Sequence, residues 1–409
     1  MTQEASAPAR TGGPLAGTRV LEIASLGPGP FAVMLLSDMG ADVLRVDRTE
    51  AVDATAGGGA IDLPPGAIPL YRGRGSVGLD LKHPDGVQAV LRLVAQADVL
   101  VEGFRPGVME KLGLGPDVCC AHNPRLVYGR VSGYGQDGPL AHAPGHDLNY
   151  IALSGVLSMI GERNGPPVIP LSLIGDFGGA GMTLAFGVLA ALLERSRSGH
   201  GQVVDCSMVE SASQLAVLFH GMLRSGHWHN ARGSNTVDGG AHFYNVYQTA
   251  NGEWIAIAAV LPKFYAALLH ALELDPAKLP QQMDEAAWPQ MKARFAAIFA
   301  TRTRAEWDQR LLGPEHCYSP VLDPMTAPDH PQHQARGAFV QVDGITQPAP
   351  APRLSRTPGS VKGAPQPPGG QTRERLADWG FSAGDIATLE ASGAIRAAAA
   401  SDHPGGDTQ

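Results

Sequence analysis

The sequence predicts an α/β protein, with a large Rossmann-like domain on a mostly parallel sheet and a smaller α/β domain. Three observations predict it. Short apolar runs alternate with helix-periodic segments through the first half, and the connections are too long for hairpins, so neighbouring strands should run parallel. A new strand-like run, Trp254–Val260, opens a second unit after a Gly-, Asn- and His-rich connection at 225–245. The chain has 409 residues, 44% hydrophobic and 17% charged, which suits a large core divided between two domains.

Thr18–Ile23 (TRVLEI) reads as a buried strand, followed by a Gly/Pro turn and an amphipathic helix. Asp42–Val46 is the second strand and Gly73–Leu81 the third. Pro84–Gln96 has helical periodicity, and Asp98–Glu102 and Leu126–Ser132 repeat the strand pattern. A long helix at 178–196 opens on glycines, and Gln202–Met208 is a further strand. Residues 347–369 are dense in proline, which rules out a regular helix or central strand and suits a surface wrap. The alanine run at 392–400 reads as a short frayed helix. The expected organisation is a loose tail at 1–13, a large domain at 14–224, a small domain at 225–330, a return segment at 331–390 and a loose tail at 391–409.

A net charge of −8 gives no reason to expect nucleic acid or an anionic membrane as partner. The apolar run Met182–Leu193 is too short to span a bilayer. Four cysteines without a CxxC spacing, two of them adjacent, suit a reducing, cytoplasmic compartment. His227 and His229 in an HWH run are a weak metal signal without a third ligand, and no metal is expected.

Pro144–Glu194 carries the strongest chemical signal. His146, in Gly145-His146-Asp147, precedes one helix-like segment, and Asp176, in Gly175-Asp176-Phe177-Gly178-Gly179, precedes another. Asp147 and Asp176 fit N-cap positions, where the helix dipole favours a carboxylate's charge. An imidazole and a carboxylate at neighbouring helix mouths form an acid/base pair; the plainer alternative is two caps and a loop histidine.

Gly27-Pro28-Gly29-Pro30-Phe31-Ala32 fits a dinucleotide fingerprint, with Asp47 about twenty residues on. Two prolines weaken that reading, because they lack the N–H groups that would face a pyrophosphate, and Arg48 would crowd a ribose. A tight turn with Pro30 at the first helical position is the alternative. Arg45, Arg48, Arg72, Arg74, Lys82, Arg92, Arg105 and Lys111 all fall in the first half. Arg48, Lys82 and Arg105 sit at or just after strand ends, where open α/β sheets bind ligands, so a cationic mouth for a phosphate-rich small molecule is expected.

Taken together, LAGTRVLEIASLGPGPFAVMLLSDMGADVLRVDR, RGSVGLDLK, VEGFRPGVMEKLGLGP, VSGYGQDGP, GHDLNY, GDFGG and GQVVDCSM resemble the family III coenzyme A transferases (CaiB/BaiF). The resemblance spans about residues 14–358 and is closest to the α-methylacyl-CoA racemases within that family. It implies an intertwined homodimer and an acyl-CoA thioester as substrate. It implies no nicotinamide or other cofactor, the CoA being part of the substrate. By matching motif, Arg48, Leu79, Asp80, Leu81, Lys82, Gly103, Phe104, Arg105 and Lys111 should line the CoA site. Lys111 stands where racemases commonly have arginine, which keeps charge but loses bidentate geometry. Gly145, His146, Asp147, Leu148, Asn149 and Tyr150 should hold the thioester end, and His146 and Asp176 match the catalytic pair.

The implied reaction is a 1,1-proton transfer at the α-carbon of a 2-methylacyl-CoA through an enolate, His146 serving one enantiomer and Asp176 the other. Backbone N–H groups near the GHD turn or the Asp176 helix mouth should hold the enolate oxygen, worth roughly 2.7–4 kcal/mol per donor in comparable sites. Gly178, Gly179 and Gly181 with Met182 should leave room for the acyl chain. One departure stands out: Leu261, in Val260-Leu261-Pro262-Lys263-Phe264-Tyr265, occupies the place of a glutamate that helps poise the histidine in racemases. Asp147, Glu162 and Asp238 are candidate substitutes. The alternatives are a CoA-transferase with Asp176 as nucleophile and a CoA-ester binding protein of weak activity.

Overall fold

The computed structural model describes residues 12–53 and 68–398. The expected tail at 1–13 lies almost wholly outside the described residues, as does the part of the C-terminal tail beyond residue 398. The chain separates into two compact units. One comprises residues 1–150, 172–212 and 332–409, and the other 151–171 and 213–331. Residues 151–171 and 213–224, expected in the large domain, therefore belong to the second unit.

The first unit is built on a seven-stranded sheet. Its strands are β1 (Arg19–Ile23), β2 (Asp42–Asp47), β3 (Gly75–Leu79), β4 (Val99–Glu102), β5 (Val127–Ser132) and β6 (Val203–Ser207), closed by a short strand at Ile395–Arg396. From one edge, Ile395–Arg396 lies beside β3, then come β2, β1, β4, β5 and β6. β1 pairs in parallel with both β2 and β4, Val20 facing Val43 on one side and Val99 on the other. The chain thus winds outward in both directions from β1. Such a switch point leaves a crevice at the strand C-termini. Ile395–Arg396 runs antiparallel to β3, with Ile395 opposite Leu79, so this part of the expected loose tail and frayed helix is a sheet edge instead.

The β1-to-β4 strands are buried on both faces, as a parallel sheet between helices requires. Leu21, Ile23, Leu44, Val46, Val77, Leu79 and Leu100 enter one core cluster, and Val20, Val43, Val99, Val101 and Val127 enter the other. The crossing helices are α1 (Pro28–Asp38), α2 (Thr49–Asp53), α3 (Pro84–Val94), α4 (Val108–Lys111) and α5 (Pro116–His122). α1 begins at Pro28, two residues before the expected start, where a missing N–H costs no hydrogen bond.

After α6 (Asp147–Leu153) and the single turn α7 (Val156–Met159), the chain enters a π-helical segment, Leu173–Gly181, continuous with α8 (Met182–Ser198). The combined helix Leu173–Ser198 is long and apolar enough to cross a membrane by length and composition, which corrects the expectation drawn from 182–193 alone. Leu184, Ala185, Val188 and Ala191 bury one face of α8 in the core. Met182, Phe186, Leu189 and Leu193, on the opposite side, are 51%, 73%, 41% and 62% exposed.

Three of the eight basic residues noted in the first half are structural. Arg74 is fully sequestered against Glu22 at 2.5 Å, Arg72 against Asp38 at 2.5 Å and Arg45 against Asp47 at 2.7 Å. Arg72 also donates to the side chain of Gln347 and the carbonyl of Pro348, both at 2.8 Å, which ties the return segment to the sheet. Asp47 is further engaged by Ser76 at 2.6 Å. The fingerprint acid is thus spent on the fold.

The second unit contains a three-stranded antiparallel sheet of Tyr244–Gln248, Trp254–Ala258 and Tyr318–Pro320, packed with helices. Its core is aromatic: Phe243, Tyr247, Tyr265, Trp288, Phe295, Phe299 and Trp307. Asp238 there accepts backbone N–H groups of Ser234, Asn235 and Gly240 and so holds a turn. His229 pairs with Glu285 at 2.9 Å.

Candidate active site

A cavity of about 460 Å³ opens in the first unit where five strands end. Ala24 to Pro28 follow β1, Arg48 follows β2, Gly103 to Pro106 follow β4, Ser132 to Tyr134 end β5 and Met208 follows β6. Ala141, Ala143, Gly145, His146, Tyr150 and Asp176 complete the wall. This is the carboxyl-end crevice expected of an open parallel sheet, centred on the switch between β1 and β4.

Asp176 lines the cavity from within the π-helical segment Leu173–Gly181. A wide turn brings the carbonyl five residues back close to each Cα. A Cβ on Gly179 would lie 2.6 Å from the Ile174 carbonyl oxygen, and one on Gly178 would lie 2.8 Å from that of Leu173. Gly181 meets the Phe31 ring in the same way, at 2.7 Å. These glycines permit the distorted helix and its packing; they do not line the cavity, contrary to their expected role as space for an acyl chain.

Asp176 is not an N-cap. It lies inside the helix, and its own N–H donates to Asp147 Oδ1 at 2.8 Å. Asp147, only 5% exposed, therefore caps the second helix rather than serving only the first. Burial pushes the Asp176 carboxyl up to about 6; the Asp147 charge adds to the rise and His146 opposes it. The group is then an acid or base poised near neutral pH. Gly27 lies against it: at φ +73° its Cβ would sit 3.2 Å from Asp176 Oδ2.

His146 is exposed at the end of the loop that leads into α6. Its N–H donates to Asn149 Oδ1 at 3.1 Å, and its carbonyl accepts from Asn149 N at 2.8 Å, so the two residues lock the turn. Tyr150 donates to the Gly145 carbonyl and packs edge-on against Tyr134, with ring centroids 5.0 Å apart. Burial holds the Tyr150 phenol up at about 12, with Tyr134 and Asp176 adding and Arg105 opposing, so it stays a neutral donor. Gly133 and Gly145 make room for this ring; a Cβ there would lie 2.3 and 2.8 Å from Tyr150 Cε1.

Of the residues expected at the site, His146, Asp176, Arg48, Gly103, Phe104, Arg105, Gly145 and Tyr150 line one cavity. Neither the Arg48 nor the Arg105 guanidinium forms an ion pair among the described residues, and both are exposed. The remaining expected contacts do not line it. Leu79, on a strand buried on both faces, and Leu81, just after it, are core side chains. Asp80 accepts the Lys82 N–H at 2.8 Å and shapes the turn after β3, leaving Lys82 exposed. Lys111 is exposed on α4, Leu148 and Asn149 are exposed on α6, and Asp147 supports from behind. The expected enolate donors also change. The amides of His146, Asp176 and Phe177 are bonded internally at 3.1, 2.8 and 3.3 Å.

Sequence reading missed the contributions of Ser132–Tyr134, Ala141, Ala143 and Met208. Their only signal was position, just past strand ends or inside the loop before GHD.

An imidazole and a carboxylate with a raised pKa, beside two unpaired guanidiniums at the ends of a parallel sheet, define an acid/base enzyme site for an anionic substrate. The chain matches the family model described as CoA-transferase family III over residues 15–373. It belongs to that family. It is 46% identical over 379 residues to the α-methylacyl-CoA racemase of Mus musculus, covering 92% of this chain and 96% of the relative. It is 43% identical over 378 residues to the Homo sapiens protein of the same name, with the same coverage. The crystal structure of Rv3272 from M. tuberculosis superposes with a TM-score of 0.73 at 30% identity, covering 89% of this chain and 99% of that one.

Proposed function

We propose that the protein is an α-methylacyl-CoA racemase, interconverting the (R) and (S) forms of 2-methylacyl-CoA thioesters. The observation that carries this is the placement of His146 and Asp176 on the wall of one cavity, in a chain 46% identical to a protein of that name. The thioester carbonyl acidifies the α-hydrogen. One of the pair removes it as a proton, the electron pair delocalises onto the carbonyl oxygen, and the other pair member returns a proton to the opposite face. No electrons are gained or lost, so the chain's own acid and base suffice. A carboxyl at about 6 is largely ionised at pH 7 yet readily reprotonated, which suits a group that must act as base in one direction and acid in the other.

Arg48 and Arg105 are assigned to the phosphates of the CoA portion, whose binding energy orients the reacting carbon from a distance. Tyr150 supports the loop that carries His146. Asp147 supplies the negative charge that helps raise the Asp176 carboxyl. The exposed apolar stripe of α8 supports a homodimer, since a second copy would cover it.

The test is incubation of one enantiomer of a 2-methylacyl-CoA in D2O, with and without a free carboxylic acid. The reading expects inversion with deuterium at the α-carbon, independent of the added acid. CoA appearing on the acid without inversion would make the protein a transferase. Neither reaction, with CoA-ester binding retained, would make it a binding protein.

A further inference from the structure

Glu102 is the last residue of β4 and only 1% exposed. Its Oε2 accepts the Phe104 N–H at 2.7 Å, so the carboxylate turns back and pins the backbone of the loop that follows. That loop, Gly103–Pro106, is cavity wall. The other oxygen, Oε1, lies 3.2 Å from Arg130 Nε, and Arg130 Nη1 donates to Glu110 Oε1 on α4 at 3.0 Å. Glu102 and Arg130 are direct partners across β4 and β5, and Arg130 faces Asp205 across β5 and β6. Oε1 of Glu102 and Nε and Nη2 of Arg130 make no hydrogen bond, so the pair is held by charge and imperfectly satisfied. Buried charges left in that state cost stability, and a hydrophobic pair would serve packing better. A function beyond packing explains the arrangement.

We propose that Glu102 is a positioning residue: through the Phe104 N–H its carboxylate fixes the turn that presents Gly103 to Arg105 to the CoA portion of the substrate. Arg130 ties the same carboxylate to α4. The proposal rests on the reading of this cavity as the thioester site. Glu102 touches no substrate; it sets where Arg105 stands. Burial pushes its carboxyl up to about 7, with the Phe104 N–H and Arg130 opposing and Glu110 adding. The charged and titratable groups around it are Arg130 and Tyr128 on β5 and Glu110 on α4, with Asp205 on β6 beyond Arg130. The ionised form is the stronger acceptor, so the pin loosens as pH falls through neutrality.

Glu102→Asp keeps the charge for Arg130 but withdraws the oxygen from Phe104. It is expected to raise KM for the CoA thioester at least tenfold and to leave kcat within threefold. Amides 103–106 should exchange hydrogen faster, while those of β4 and β5 hold their protection. Unchanged KM and exchange, or a fall in kcat at constant KM, would overturn the proposal. If the variant does not fold, the ligand-free wild-type protein decides: protection of the Phe104 amide, corrected for intrinsic exchange, should drop at least fivefold from pH 8 to pH 6. A flat profile would overturn it. Failure of the wild type to bind a CoA thioester would instead remove the functional reading, and the exchange measurement would still judge the pin.

Discussion

Asp176→Asn should make the protein more stable and almost inactive, and the stability gain should depend on pH. The Asp176 carboxyl rises from 3.8 to about 6 on folding, chiefly through burial. An acid whose folded pKa is raised destabilises the native state once ionised. The cost is absent below about pH 4, grows between 4 and 6 and is complete above 6. At 1.36 kcal/mol per pH unit, the rise corresponds to roughly 3 kcal/mol at pH 8. Asparagine has nearly the same shape, carries no charge and keeps the N–H that Asp147 accepts at 2.8 Å. Urea unfolding of both proteins at pH 4 and pH 8 reads the difference. Asp176→Asn should gain about 2–3 kcal/mol at pH 8 and nothing at pH 4. Loss of the acid/base group should lower turnover by about 10²–10⁴-fold. A variant no more stable than wild type at pH 8, or equally stabilised at both pH values, would refute the account of the site as a place where an ionised carboxylate is held against its solvation.

The acid limb of kcat/KM should fall near pH 6 in the wild type, and Asp147→Asn should move it lower, because removing a negative neighbour eases Asp176 ionisation; a limb that stays in place would show that another group titrates. His146→Ala should lose α-deuterium exchange from one enantiomer by at least a hundredfold more than from the other, read by NMR in D2O. Gly27→Ala should cost about 1–2 kcal/mol from its φ of +73°, and its Cβ, 3.2 Å from Asp176 Oδ2, should depress kcat; thermal melts and steady-state rates check both. Arg74→Met should cost about 3–5 kcal/mol by stranding Glu22, and adding Glu22→Leu should recover most of it in the same unfolding assay.

The parallel sheet was legible because its strands are apolar runs bounded by turns, and the switch point followed once β1 was flanked by β2 and β4. His146 and Asp176 were legible as motif residues, and the cavity includes both. What the sequence concealed is three-dimensional. Arg45, Arg72 and Arg74 look like Arg48 and Arg105 in the chain, yet the first three are buried against carboxylates and only the last two face the cavity. Arg72 and Arg74 find their carboxylates, Asp38 and Glu22, 34 and 52 residues away, which local spacing does not carry; Arg45 pairs with Asp47 two residues on, inside a strand buried on both faces. Asp176 had the neighbourhood of a cap, but the glycines after it wind a π-helix and place it inside. Ile395–Arg396 opens onto an uninformative alanine run, and its pairing with β3 depends on the whole intervening chain.

The distant bonds at β3 and just before it have a consequence for biosynthesis. Arg72 and Gln347 are 275 residues apart, and the Gly78 amide waits for Thr372, 294 residues on. At about 5–20 residues per second, a ribosome needs roughly 15–60 s to deliver those partners after the strand itself has emerged. For that interval the nascent sheet has a raw flank and a buried-type guanidinium exposed to solvent. Premature termination anywhere before residue 347 would release a chain in that state, a natural client for chaperones and proteases.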